Sequence, residues 1–430
     1  SLLNIDDFEL SGDSDAASAL ARVAGISTAQ DRFVYVRGLN ERYSSATLNG
    51  SPLPSPEPLR RVAPLDLFPT SVLETILVQK TFSPNLQGEF GGGLVDIRTR
   101  SVPTERFFNA KIGLSGDTET TFKNGLLYDG SDTDWLGYDD GARDLPAISA
   151  GGVDAAFGKA LTDNSSLLVM QNGQVGPSGS FGFTGGERFD VNDRLSIGLI
   201  GTFSYANNWS TKKGERSFAN SVGTGLEERS SYKRNSTANT VKVNGYGALG
   251  FEYDLDNSSH DIQLVGLITR STEKEARTVG GIDFDDNYER TDSLEFFERQ
   301  LWTTQISGEH IFDNLGDLKI EWRGSYSEAF RDAPYQFSVV YQDTFNGLGL
   351  RTVSNAANNT FAFSRIDDDS TDFGIDATLP ISFGGECTYF CETDLKVGYA
   401  YAENDRDAVS QLFAIEGVPI SDKRIDYVYS

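Results

Sequence analysis

From Phe107 onward the chain repeats apolar and polar positions with a period of two. Phe108, Ala110, Ile112 and Leu114 fall on one side of an extended segment; Asn109, Lys111, Gly113 and Ser115 fall on the other. The alternation returns at Leu195, Ile197, Leu199, Phe203 and Tyr205, and again at Val241, Val243, Leu249 and Phe251. It continues at Leu318, Ile320, Trp322 and Tyr326, at Phe373, Ile375, Ala377 and Leu379, and at Leu395, Val397, Tyr399 and Tyr401. A dyad repeat of this kind predicts strands with one apolar and one wetted face. With weaker segments at 181–189, 262–269 and 297–311, the pattern predicts about nine strands of roughly 10 residues, a length that crosses a bilayer at a tilt.

The connections between these strands sort into two kinds. Those at 190–193, 254–261, 313–317 and 384–392 are short, and those near 207–239, 270–295 and 331–367 are expected to be long external loops. An outer-membrane barrel places short turns on one side and long loops on the other; a soluble sandwich, the competing architecture, has no such constraint. Phe189, Phe251, Tyr253, Phe312 and Phe383 stand beside the short turns, where an interfacial girdle would lie.

Composition narrows the classes further. No segment approaches the 18 or so consecutive apolar residues of a membrane helix, but a mean hydropathy of −0.35 suits a barrel as well as a soluble protein. The formal net charge is −26, and Lys212-Lys213 is typical of the short basic runs, so nucleic acid is excluded as a partner. The first residues carry no basic or strongly apolar leader.

Residues 1–105 read differently from the rest. Ser14 or Asp15 can cap a helix from Ala16 to about Ala24, with Gly25 as its stop. Extended segments follow at 33–36, 46–48, 71–78 and 94–100. Asn49-Gly50 is a turn dipeptide, and the alternating Pro52, Pro54, Pro56 and Pro58 must form a loop.

Four elements stand in order here: Val36-Arg37-Gly38-Leu39; Leu48-Asn49-Gly50; Leu73 to Lys80; and Gly88 to Arg100, which contains Gly91, Gly92 and Gly93. Together they resemble the plug domain of TonB-dependent outer-membrane receptors over about residues 8–105. Glycines at 91–93 would let backbone pack where side chains collide, and Arg37 is expected to be held buried by carboxylates or carbonyls. The resemblance implies a membrane all-β fold: an antiparallel transmembrane β-barrel, 22 strands in the whole protein and about nine in this chain, occluded by a small N-terminal α+β plug. Residues 1–105 would be the plug and 106–430 a partial barrel, with the TonB-contacting segment and the remaining strands outside this sequence.

The resemblance also implies active uptake of a scarce ligand across the bacterial outer membrane, with the plug accessible from the periplasm. Its partners would be TonB with the inner-membrane energising complex, lipopolysaccharide and outer-membrane lipid, a small-molecule or oligosaccharide ligand, and a surface lipoprotein as a further candidate. The loop after Arg37-Gly38 would face outward, making Asn40, Glu41, Arg42 and Tyr43 ligand contacts, with Phe68 from the next upper loop. A passive porin or adhesin and a secreted carbohydrate-binding β protein are the alternative readings.

Other constellations carry little chemistry. His260 and His310 are expected to be a turn residue and a strand residue, and no nucleophile–base arrangement, Walker loop or dinucleotide fingerprint accompanies them, so neither an enzyme nor a cofactor is expected. Cys387 and Cys391 are expected to close a small disulfide, as an oxidising periplasm favours. Acidic runs at Asp283, Asp285 and Asp286 and at Asp367, Asp368 and Asp369 are expected in external loops. They read first as solvated charge and second as a calcium site.

Overall fold

The dyad repeat builds one large antiparallel sheet. The computed structural model describes residues 2–29, 32–39, 43–60, 62–83, 92–148, 152–222, 225–343, 349–353, 359–382 and 392–414. The N-terminal domain contains β1 (Leu2–Asn4), α1 (Ile5–Ser11), α2 (Ala16–Leu20), β2 (Ile26–Ala29), β3 (Phe33–Val36), β4 (Ser44–Leu48), β5 (Ser51–Pro52), β6 (Leu73–Gln79) and β7 (Gly93–Thr99). Its five-stranded sheet runs β1-β6-β7-β4-β5, with β4 and β7 parallel, while β2 and β3 form a separate hairpin. Asp15 caps α2 by accepting from the Ser18 N–H at 3.0 Å. The helix stops at Leu20, earlier than predicted, because the chain turns through Val23 into Gly25 at φ +77°. The preceding helix α1 was not predicted; its cap is Asn4, which exchanges hydrogen bonds with Asp7.

The large sheet follows, with β8 (Phe107–Ser115), β11 (Ser178–Asn192), β12 (Leu195–Val222), β13 (Gly225–Leu255), β14 (Ser258–Ile282), β15 (Tyr288–Phe312), β16 (Leu318–Asp343), β18 (Thr360–Ser382) and β19 (Glu392–Ala414) paired in chain order. A two-residue β17 (Arg351–Thr352) pairs with β16. Between β8 and β11 lie a small hairpin, β9 (Asn124–Leu127) with β10 (Gln171–Gln174), and α3 (Ala155–Thr162). Among the described residues β8 and β19 do not pair, so the barrel wall is open.

All nine dyad segments are strands of this wall, but the strands are longer than the repeat. Much of the three stretches expected as long loops is instead strand: β12 and β13 stay paired up to Val222 and Gly225, β14 and β15 up to Ile282 and Tyr288, and β16 runs on to Asp343. Beyond the apolar band both faces of these hairpins carry polar side chains, so the ladder persists where the hydrophobic period has vanished. Asp367, Asp368 and Asp369 accordingly lie on β18, not in a loop, and Asp368 is buried. Asp283 to Asn287 do form an external turn, but Asp283 Oδ1 accepts from the Asp285 and Asn287 N–H groups. Among the described residues no group of acidic or His/Cys side chains could hold a metal ion. Cys387, Cys391 and Phe383 lie outside the described residues.

The two faces of the wall have opposite surroundings. Phe8, Leu20, Val36, Leu48, Phe68, Ile76 and Ile97 form the plug core, which runs on into Ile200, Tyr246, Val265, Leu267 and Leu301 of the wall. On the other face Ile112 is 89% and Leu199 44% exposed, so the alternating apolar residues do not face a second sheet. That apolar face is what hydrocarbon would cover. Phe189, Phe251 and Tyr253 are exposed beside the short turns, as expected of a girdle.

Candidate ligand site and plug seam

The glycine-rich entry to β7 is shaped by close approach. A Cβ on Gly93 would lie 2.6 Å from Val36 Cγ2 and 2.8 Å from its Cβ, so a larger residue there would push β7 off the β3 end, whereas one on Gly92 would press on the tip of the Leu39 side chain. Gly91 lies outside the described residues. Asn49 and Gly50 both have positive φ, +51° and +82°, as the two-residue turn between β4 and β5 requires.

That turn also reaches the wall. Asn49 Nδ2 donates to Gln305 Oε1 at 2.8 Å, and Gln305 Nε2 returns a bond to the Leu48 carbonyl at 2.9 Å. Further along, Ser51 Oγ donates to Asp372 at 3.0 Å and the Ser55 N–H to Asp368 at 2.9 Å; Arg323 and Arg406 from the wall pair with those two carboxylates. Lys242 bridges to Asp15 at 3.2 Å. The seam between plug and wall is therefore apolar at Ile200, Val265 and Leu267, polar or charged beside them at Gln305 and Arg323–Asp372, and charged farther from the short turns at Lys242 and Asp368.

At the charged end stands a cluster that the sequence did not disclose. Arg299, fully buried, donates two bonds to Asp66, at 2.7 and 3.3 Å, and one to Glu57 at 3.2 Å. Burial opposes the charge on Asp66, but Arg299, with Arg32 and Lys242 beside it, holds the carboxyl below its ordinary range. Arg32 also pairs with Glu273 at 3.0 Å. The guanidinium groups of Arg331, Arg32 and Arg299 surround the Phe297 ring at 5.1, 5.8 and 6.0 Å. Arg331 donates to Ser364 Oγ at 3.3 Å, and among the described residues no carboxylate lies within ion-pair distance of it. Arg299 is buried and already paired and Arg32 is paired with Glu273, so Arg331 beside the Phe297 ring is the cation of this cluster placed to meet a planar or anionic ligand.

The expected ligand contacts fare unevenly. Tyr43 is half-exposed, while Asn40, Glu41 and Arg42 lie outside the described residues. Phe68 is fully buried in the plug core, with its carbonyl accepting from the Ala16 N–H at 2.9 Å, so its ring cannot meet a ligand. Arg37 is exposed rather than buried; its left-handed backbone, φ +54°, and its N–H bond to the Gly25 carbonyl fix the turn instead. His260 sits on β14, not in a turn, and faces His310 directly, with 3.0 Å between their Nδ1 atoms. Trp322 Nε1 donates to His310 Nε2 at 2.9 Å, placing both histidines in the girdle beside the short turns.

These features define a class: a small α+β domain seated on one face of an antiparallel wall whose other face carries exposed apolar side chains. Residues 1–95 match the family model described as TonB-dependent Receptor Plug Domain, so the amino-terminal domain is a TonB-dependent receptor plug. No curated protein matches the sequence. Among solved structures, the chain is similar to ferric citrate transporter FecA in its unliganded form, at 12% identity and TM-score 0.32, over 96% of this chain and 58% of that one. It is also similar to the siderophore receptor PirA from Acinetobacter baumannii, at 11% identity and TM-score 0.30 over 92% and 65% of the two chains. The ferric-catecholate import receptor Fiu from E. coli K12 aligns at 10% identity and TM-score 0.35, over 96% and 66%. The chain thus spans 58% to 66% of the length of these structures.

Proposed function

We propose that this chain is the plug and part of the barrel of a receptor that takes up a scarce ligand, such as a siderophore or carbohydrate, across the bacterial outer membrane. The observation that carries the reading is the plug domain itself, held by hydrogen bonds and ion pairs against one face of a wall whose other face is apolar and exposed. In this reading the short turns face the periplasm and the long hairpins the outside. The ligand meets the plug loop at Asn40 to Tyr43 and Arg331 beside the Phe297 ring. TonB, energised from the inner membrane, then moves the plug, breaking the seam at Asp66–Arg299 and Asn49–Gln305. A plug speaks against a passive porin, and the exposed apolar band against a secreted β protein.

The deciding experiment is uptake by cells expressing the intact receptor, before and after the proton gradient is collapsed. Accumulation that stops with the gradient supports the reading. Accumulation that continues unchanged would make the protein a passive pore, and recovery of the protein in the soluble fraction without detergent would remove it from the membrane.

A further inference from the structure

The excursion between β8 and β11, residues 116–177, does not lie over the plug. Strands β13 and β14 pair without a register shift from Ser231 to Leu255, so side chains two residues apart keep to one face throughout. Plug contacts use Lys242 and Glu273. The excursion uses the other face: Leu126 N–H donates to Thr237 Oγ1 at 3.0 Å, Lys274 pairs with Asp134 at 2.7 Å, and Arg270 Nε donates to the Gly137 carbonyl. This is the face that carries Leu264, Ile268 and Phe251 in its lower half. The excursion therefore covers the outward side of β13 and β14 at Thr237, Arg270 and Lys274, just above the apolar band.

Its lower edge is the short turn from Asp134 to Tyr138. Trp135 is 59%, Leu136 40% and Tyr138 45% exposed. Tyr205 Oη donates to the Trp135 carbonyl at 2.6 Å, and the Tyr138 ring stacks 3.8 Å from the Arg270 guanidinium carbon, covering the first charge above the band. Two of the acidic groups beside the turn are offset, since buried Arg143 pairs with Asp134 at 2.8 Å and with Asp139, while Asp132 and Asp140 are exposed to water. The height also fits. Tyr205 is level with Val243, ten residues along β13 from Tyr253 in the short-turn girdle; at about 3.4 Å per residue and a tilt of about 40°, the separation along the membrane normal is about 26 Å, close to the apolar thickness of a barrel.

We propose that this turn is a membrane anchor: Trp135, Leu136 and Tyr138 sit in the outer-leaflet lipid interface and supply the outer aromatic girdle from a loop instead of from the strands. Aromatic rings with polar edges suit that boundary, and the turn clips the excursion to the lipid surface. The inference rests on the outer-membrane reading above. Its test uses single-tryptophan forms of the intact receptor, one keeping Trp135 and one keeping Trp302, with the other tryptophans changed to Phe. Each is reconstituted in phosphatidylcholine vesicles brominated near the glycerol backbone or near the acyl-chain ends. Trp302, in the band beside Ile268, should be quenched by the deeper label, and Trp135 at least twofold more by the shallow label than by the deep one. Quenching of Trp302 with none of Trp135 would overturn the anchor and leave the membrane reading standing. Absence of quenching for both would overturn the two together. A Trp135 that is unquenched in vesicles but shielded from aqueous iodide would mean that the ring is covered by the receptor itself, which also overturns the anchor.

Discussion

Arg299 on the wall and Asp66 on the plug form a bidentate ion pair, 2.7 Å at its shorter bond, in which the arginine side chain is fully buried. Removing one partner leaves the other buried with only its weaker contacts, Glu57 for Arg299 and Arg32 for Asp66. Asp66→Ala or Arg299→Ala should therefore each weaken plug seating by about 3–5 kcal/mol, whereas the paired change Asp66→Leu with Arg299→Met should recover much of that loss. Differential scanning calorimetry of the purified receptor with and without the double change measures it; equal destabilisation by the single and double variants would contradict the pairing.

The same pair sets an acid limit. Because its surroundings hold the Asp66 carboxyl below the usual value of 3.8, the folded state binds its proton less readily than the unfolded chain. The stabilisation is complete above the unfolded value and is lost as pH falls from there through the lower folded value. Protease sensitivity of the plug should thus stay flat from neutral pH to about 4 and rise only below it; Asp66→Asn should abolish this dependence.

At the entry to β7, Gly93→Ala should cost about 1–3 kcal/mol through overpacking against Val36. Val36→Ala in the same chain opens space for the added methyl and should return part of that loss, which thermal melts of the four variants would show.

For the ligand, Arg331→Gln, Phe297→Ala and Tyr43→Ala should lower uptake several-fold at unchanged surface abundance, as should Arg42→Ala in the plug loop. Unchanged uptake for all four, with immunodetection matched to wild type, would place binding elsewhere.

Cys387 and Cys391, if bridged, close a loop of five residues, so reduction should lower stability by only about 2 kcal/mol. Mass spectrometry after alkylation would detect the bond directly; two alkylated thiols without prior reduction would exclude it.

The wall was legible in the sequence because hydrocarbon imposes a period of two wherever it covers a strand. Ile112, Leu199 and Phe373 announced their strands for that reason, and all are exposed on the outward face. The same strands could not be followed past Asn207 or Arg270, since water on both sides leaves no period to read while the hydrogen-bond ladder continues. The plug motifs were legible at Asn49-Gly50 and Gly93, where backbone geometry admits few other residues. The seam was not. Arg299, Arg331 and Asp66 lie far apart in the chain, and each looks like an ordinary surface charge until the plug and the wall meet. Phe68 misled for the opposite reason: the resemblance implied an upper-loop ligand contact, yet its ring lies in the plug core.

The edge position of β1 has a mechanical corollary. This strand pairs with β6 through three residues, Leu2 to Asn4 against Leu77 to Thr75, and among the described residues no strand flanks its other side. A tension entering from the amino-terminal side would load those few rungs before reaching β6, β7 or the charged seam. The weakest link would then yield first, lengthening the leash while the cork stays in the bottle, so that opening becomes a sequence of small ruptures instead of one large extraction.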